Sequence, residues 1–114
     1  MSDKNTALQL LQKWNPFTER VGLVLLDGTI LELQNESPTP GLTFHVKREA
    51  VDELLPAAVA MWHTHPQNNV NLSPADYGVF LSLPTLLQYI VTEKRVRSFK
   101  TIGGKVYVDE ADCV

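Results

Sequence analysis

Two prolines, Pro66 and Pro74, constrain the fold of this 114-residue chain more than any other residues. The stretch before Pro66, Ala57–His65, is apolar with β-branched and aromatic members, which predicts a central strand that the proline stops. Gln67–Leu72 is a polar, asparagine-rich loop. Ser73-Pro74 then reads as a helix start, because serine caps orphan N–H groups and proline's missing N–H costs nothing at the first helical position. The spacing predicts a helix from Pro74 to Leu83. Only residues 66–72 separate strand from helix, so the loop can fold the helix's first turn back over the strand tip.

The flanking segments predict a single mixed domain over residues 1–114. Residues 3–14 form an amphipathic helix with Ala7, Leu10, Leu11 and Trp14 on one face, stopped by Asn15-Pro16. Val21–Leu26 is a buried strand. Asp27-Gly28 is a two-residue hairpin turn requiring positive φ at both positions, and Thr29–Asn35 is the return strand. Ser37–Gly41 is a loop, Leu42–Val46 a short strand, and Lys47–Leu55 a helix ended by Pro56. Gln88–Val91, Val96–Thr101 and Lys105–Val108 are further strands, with Gly103-Gly104 as the last turn. This order predicts an α/β or α+β domain, a mixed β-sheet sandwiched by helices. Tyr77, Phe80 and Leu81 fall at helical spacing and are assigned to the core. Trp62 and Thr64 are assigned to the sheet face opposite His63 and His65.

Composition narrows the function. Hydrophobic content of 44% and charged content of 20% suit one globular core. A net charge of -3 and a pI near 5.5 argue against nucleic-acid binding, since no basic patch neutralises phosphates. Lys94, Arg95, Arg97 and Lys100 cluster at strand spacing and read as a solvated sheet edge. Cys113 is the one cysteine, which excludes disulfides and a thiolate zinc cluster and fits a reducing, cytoplasmic setting. The first residues lack a basic start and apolar run, and no stretch has the length of a membrane span. The sequons at Asn35 and Asn71 read as chance.

His63 and His65 carry the chemistry. Residues two apart on a strand share a face, with Cα atoms about 6.5–7 Å apart, so both imidazoles can lean onto one metal ion at about 2.0–2.1 Å. Alone, such a pair is more often two polar residues at a strand end. Asp76 three residues after Ser73 resembles a capping box, which by itself says only that a helix begins. A helix N-terminus also stabilises an ionised carboxylate, the form a metal ligand must take. Asp76 can thus supply a third ligand, leaving a fourth position to water, the catalytic arrangement. Ser73 can cap the helix and also donate to an oxyanion. A hydrolytic site needs a general base as well. Glu19, just before Val21–Leu26, is the choice, with Glu32, Glu36, Glu49 and Glu53 as competitors. His45 is read as a surface or satisfied histidine rather than a fourth ligand.

Met61-Trp62-His63-Thr64-His65-Pro66 followed by Ser73-Pro74-Ala75-Asp76 resembles the signature of the JAMM (MPN-plus, or prokaryotic JAB) metalloproteases, H-x-H-x7-S-x-x-D with an upstream glutamate. Glu19-Arg20-Val21-Gly22-Leu23-Val24 fits the upstream element. The resemblance spans Glu19 to about Val108. It implies a JAB/MPN-like, cytidine-deaminase-like three-layer fold, Zn2+ held by His63, His65 and Asp76, Glu19 as general acid/base, and Ser73 as oxyanion helper. The compact length is most similar to the prokaryotic and phage-tail type, as in the N-terminal domain of lambda-like tail assembly proteins. That implies a peptide or protein substrate, a ubiquitin-like conjugate or a tail protein among them, and a cytoplasmic or phage-particle location. A non-catalytic assembly module retaining zinc is the alternative. The chain stops at Asp112-Cys113-Val114 with no later histidine to activate Cys113, so an appended cysteine-peptidase domain is not expected.

Overall fold

A computed structural model describes residues 4–114. Helix α1 (Lys4–Leu11) precedes the hairpin β1 (Val21–Leu25) and β2 (Ile30–Leu33). Then come α2 (Arg48–Leu54) with a 3-10 turn (Leu55–Ala57), β3 (Ala58–Thr64), α3 (Pro74–Ser82), β4 (Leu87–Val91), β5 (Val96–Ile102) and β6 (Lys105–Glu110). The strands form one mixed sheet in the order β2-β1-β3-β4-β5-β6. Only β3 and β4 are parallel, and α3 is the crossover that such a pair requires.

Both faces of the sheet are covered, giving three layers. On one face Ala7 and Leu10 of α1 pack with Val24, Ala60, Trp62 and Val91. On the other, Val51 of α2 and Leu83 and Leu86 after α3 pack with Val21, Leu23 and Met61, while Phe80 meets Ile90 and Phe99. Alternation along β3 explains the division: Trp62 points to α1, and Met61 and His63 point to α2 and α3. Gly22 lies directly across from Trp62, and a Cβ there would stand 1.8 Å from the Leu31 carbonyl oxygen and 2.7 Å from the indole. The glycine is what admits a fully buried tryptophan, whose Nε1 donates to the Leu31 carbonyl at 3.2 Å.

Several expectations need correction. Helix α1 ends at Leu11 rather than at residue 14, because Lys13 N–H turns back to the Leu10 carbonyl and Trp14 leaves the axis; the expected start at residue 3 lies outside the described residues. The first hairpin loop has three residues, Leu26–Gly28: Gly28 N–H bonds the Leu25 carbonyl, and Gly28 alone has positive φ, at 89°. That is a type I turn closed by a left-handed glycine, so Asp27 needs no strained conformation. Leu42–Val46 is not a sheet strand; the Asn35 side chain, a backbone bond from Glu36 N–H to the His45 carbonyl, and turn bonds from Leu42 and Thr43 N–H to the Thr39 carbonyl hold it. Tyr77 and Leu81 are 45% and 44% exposed, because the buried stripe of α3 runs through Asp76 and Phe80. An apolar-only pattern cannot include that aspartate. The basic cluster is not on an edge either: β5 lies between β4 and β6, and Lys94 and Arg95 occupy its entry turn. No described helix is long and apolar enough to cross a membrane.

Candidate metal centre

Pairing of β1 with β3 sets the site. Val21 lies opposite His63, and Thr64 N–H continues the ladder to the Arg20 carbonyl at 2.9 Å. Extending that register by two residues puts Glu19 opposite His65, on the same face. The Arg20 N–H is taken by Thr64 Oγ1 at 2.8 Å, which locks the two chains just beyond the strands. On the far side of β3, His65 N–H donates to the Val91 carbonyl at 2.8 Å. Asp76 arrives from α3. The capping box is complete: Asp76 N–H donates to Ser73 Oγ at 3.2 Å, and Ser73 N–H donates to Asp76 Oδ2 at 3.0 Å.

The structure therefore brings together the residues read from the sequence. Glu19, His63, His65 and Asp76 are 6%, 1%, 7% and 4% exposed. His63 Nε2 is 3.0 Å from His65 Nε2 and 3.1 Å from Asp76 Oδ1, and His65 Nε2 is 3.5 Å from Asp76 Oδ2. Ligand atoms of Glu19, His63 and His65 all lie within 4.8 Å of one another. The competing glutamates are elsewhere: Glu32 pairs with Arg20, Glu36 with Lys47, and Glu49 and Glu53 are exposed. His45 is exposed and outside the cluster.

The donor set fits a tetrahedral cation. Ligands at about 2.0–2.1 Å around a tetrahedral ion stand about 3.3 Å apart; the histidine nitrogens are 3.0 Å apart, and the two Asp76 oxygens approach one histidine each, Oδ1 to His63 at 3.1 Å and Oδ2 to His65 at 3.5 Å. His65 Nδ1 donates to the Asn69 carbonyl at 2.8 Å. In its neutral form the ring then carries a lone pair on Nε2, aimed at a second imidazole nitrogen and a carboxylate. Such a convergence of electron pairs needs protons or a cation at its centre. The Asn69 carbonyl is also the kind of outer partner that orients a ligating histidine. His63 differs: its Nδ1 is buried without a partner among the described residues, and the ring is held by packing against Phe44 at 4.8 Å and Phe80 at 6.4 Å.

Electrostatics separates the roles. Burial pushes the His63 imidazole down, outweighing the upward pull of Asp76, which keeps the ring neutral as a ligand requires. Burial also lowers His65, but hydrogen bonds to Asp76 and Asn69 and the charges of Asp76 and Glu19 leave it raised. Asp76 is opposed by burial yet held well below the usual carboxylate range by His63, His65 and the Ser73 N–H. Glu19 goes the other way. Burial pushes it up to about 7, with His65 lowering it and Asp76 raising it further. Adjacent carboxyls thus differ, one permanently ionised and one titrating near neutrality.

A cleft of about 330 Å³ opens over Glu19, His65 and Asp76, lined also by Leu42, Leu72, Gln67, Asn69, Asn71 and Ser73. Ser73 Oγ accepts from Asp76 N–H, so its own O–H is available to the cleft. Sequence reasoning missed several supports. Asn35 Nδ2 donates to the Glu19 and Thr43 carbonyls, and its Oδ1 accepts from Ser37 and His45 N–H. Trp14 Nε1 donates to the His65 carbonyl at 2.8 Å. Asn68, at a φ of 64°, makes the loop's sharp bend and accepts from Glu93 N–H. Only the tryptophan carried a signal, since a buried indole N–H needs an acceptor.

No family model and no curated protein matches the chain. Among solved structures, the fold is similar to the solution structure of protein DSY2949 from Desulfitobacterium hafniense, with a TM-score of 0.59 and 20% identity over 94% of this chain and 87% of that one. At that identity the likeness concerns the fold alone.

Proposed function

We propose that the chain is a zinc-dependent metallopeptidase of the JAMM type that hydrolyses a peptide or isopeptide bond, on a JAB/MPN-like domain of the prokaryotic or phage-tail kind. The observation that carries this reading is the meeting of His63 Nε2, His65 Nε2 and the Asp76 carboxylate within 3.0–3.5 Å, beside a buried Glu19 raised to about 7. His63, His65 and Asp76 would hold the zinc. When bound, zinc polarises a carbonyl and brings water to a pKa of about 7.

The chain's own residues supply the proton chemistry. Glu19 takes a proton from the attacking water and passes it to the departing amine, and a carboxyl near 7 is suited to both transfers at neutral pH. Ser73 donates its O–H to the oxygen that gains charge, while its backbone N–H keeps Asp76 in place. Leu42 and Leu72 give the cleft an apolar wall. The uncharged amides of Gln67, Asn69 and Asn71 offer donors and acceptors suited to a peptide backbone.

A second reading makes Glu19 a fourth ligand and the site a closed structural one, since its carboxyl lies within 4.8 Å of both histidine nitrogens. One variant separates the two. Under the enzyme reading Glu19→Gln retains zinc by elemental analysis and loses about 10²–10⁴-fold in turnover against a peptide and isopeptide library, whereas His63→Ala loses both. A Glu19→Gln protein purified without zinc would favour the structural site, and one with full turnover would remove Glu19 as the base.

A further inference from the structure

The sheet ends in two edges of different kind. The outer strand β2 has only 4 residues, and its Glu32 is ion-paired with Arg20. The outer strand β6 has 6 residues, and beyond β5 no described segment pairs with it. The chain after β6 returns toward β5, where Cys113 N–H donates to the Val96 carbonyl, and so leaves the outer edge open.

Turn geometry fixes which groups face outward. Gly103 and Gly104, at φ 58° and 75°, form a two-residue turn between Ile102 and Lys105. That pair is the hydrogen-bonded one closing the turn, and alternation makes Lys100 and Tyr107 the next bonded pair. Val106 and Val108 therefore aim N–H and C=O away from β5. The side chains along this edge are exposed: Tyr107 by 45%, Val108 by 50% and neighbouring Ile102 by 57%. Such a row is a ready template for another strand.

We propose that this edge binds a second copy of the chain, β6 against β6, antiparallel about a two-fold axis at Tyr107. Only residues with outward backbone groups can exchange bonds, and the register that sets Val106 opposite Val108 does so twice. It sets Tyr107 opposite Tyr107 and, on the same face, Lys105 opposite Asp109 of the second copy, also twice. Asp109 is the extra residue where β6 bulges between Val108 and Glu110, and its carboxylate is placed on that face by accepting from Ser98 Oγ at 3.1 Å, leaving its other oxygen free for a lysine. Among the described residues Lys105 is in no ion pair. Shifting the register by two residues either way removes the Lys105–Asp109 match. A strand whose sequence Lys-Val-Tyr-Val-Asp complements its own reverse in charge and in bonding parity is suited to isologous pairing. The inference is independent of the hydrolase reading, since β6 stands three strands from β3.

Sedimentation equilibrium from micromolar to millimolar concentration tests it. The wild-type chain is expected to dimerise, and Lys105→Glu or Asp109→Lys alone to weaken the dimer roughly tenfold. An equimolar mixture of those two variants is expected to regain it, because each acid then meets a lysine. Tyr107→Cys gives a second, covalent measurement. Directly opposed residues of a non-bonded pair have Cα atoms about 4.5 Å apart, within disulfide range, so mild oxidation should link the dimer, and Cys113, 6% exposed, does not compete. A wild-type chain monomeric throughout, a mixture no more associated than its components, or a Tyr107→Cys protein that resists cross-linking overturns the proposal.

Discussion

Glu19 and Asp76 share one pocket and respond to pH in opposite senses. In metal-free protein Glu19 titrates near 7 when folded and near 4.5 when unfolded. Between those values the folded state holds a proton that the unfolded state has released, so Glu19 contributes stability below pH 4.5 that is lost as pH rises to 7. The ceiling on that loss is ~3 kcal/mol. Asp76 is depressed, so its contribution is complete above its unfolded value of 3.8 and is lost only as pH falls through its lower folded value. The two histidines shift with opposing signs, His63 lowered and His65 raised. A comparison with Glu19→Gln removes the contributions that do not depend on Glu19; the lift its charge gives His65 stays in the difference and has the same sign. Urea unfolding of both proteins in chelator is expected to show the wild type losing stability relative to the variant from pH 4.5 to 7. A difference independent of pH would mean that Glu19 ionises as a solvated carboxylate does.

Strand β1 does two jobs at the element scale, burying Trp62 on one face and aligning Glu19 with His65 on the other. Gly22 serves both, since no Cβ fits between the Leu31 carbonyl and the indole. Gly22→Ala is therefore expected to cost about 1–3 kcal/mol in thermal unfolding, the usual price of overpacking, and to lower zinc affinity by displacing β1 from β3. A variant as stable as wild type would show that the hairpin relaxes freely. The strand–loop–helix unit around the site was legible in the sequence because Pro66, Ser73 and Pro74 mark its ends through local backbone chemistry. The central strand, the capping box and the converging residues follow from it. Glu19 was legible only by its position before a strand, since its burial depends on strand pairing. Features set by tertiary contact were not legible. Asn35 holds Glu19 and the 42–46 segment through an amide whose partners are distant in sequence. The buried stripe of α3 contains an aspartate, which an apolar pattern passes over.

Across the whole molecule, the site joins the strand tips to the helix that also packs on them through the core. The tip of β3, the approach to β1 and the first turn of α3 converge there, while Trp14, three residues after α1 ends, donates to the His65 carbonyl. Without a cation, buried imidazole nitrogens and carboxylate oxygens crowd at 3.0–3.5 Å, and His63 Nδ1 has no described partner. A metal bound there stabilises only the folded chain, since the unfolded chain scatters its ligands. Binding then adds RT ln(1 + [L]/Kd), about 4 kcal/mol at a thousandfold excess over Kd. For a domain of this size that raises Tm on the order of 10 °C. Differential scanning calorimetry of chelator-treated protein with and without added zinc measures the rise, and Asp76→Asn, which keeps the side chain's size and removes its charge, is expected to lose most of it. A wild-type Tm unmoved by zinc would mean that protons fill the centre and that the cluster is a packed polar core. A shift retained in full by Asp76→Asn would instead transfer the third ligand to Glu19, whose carboxyl lies within 4.8 Å of both histidine nitrogens.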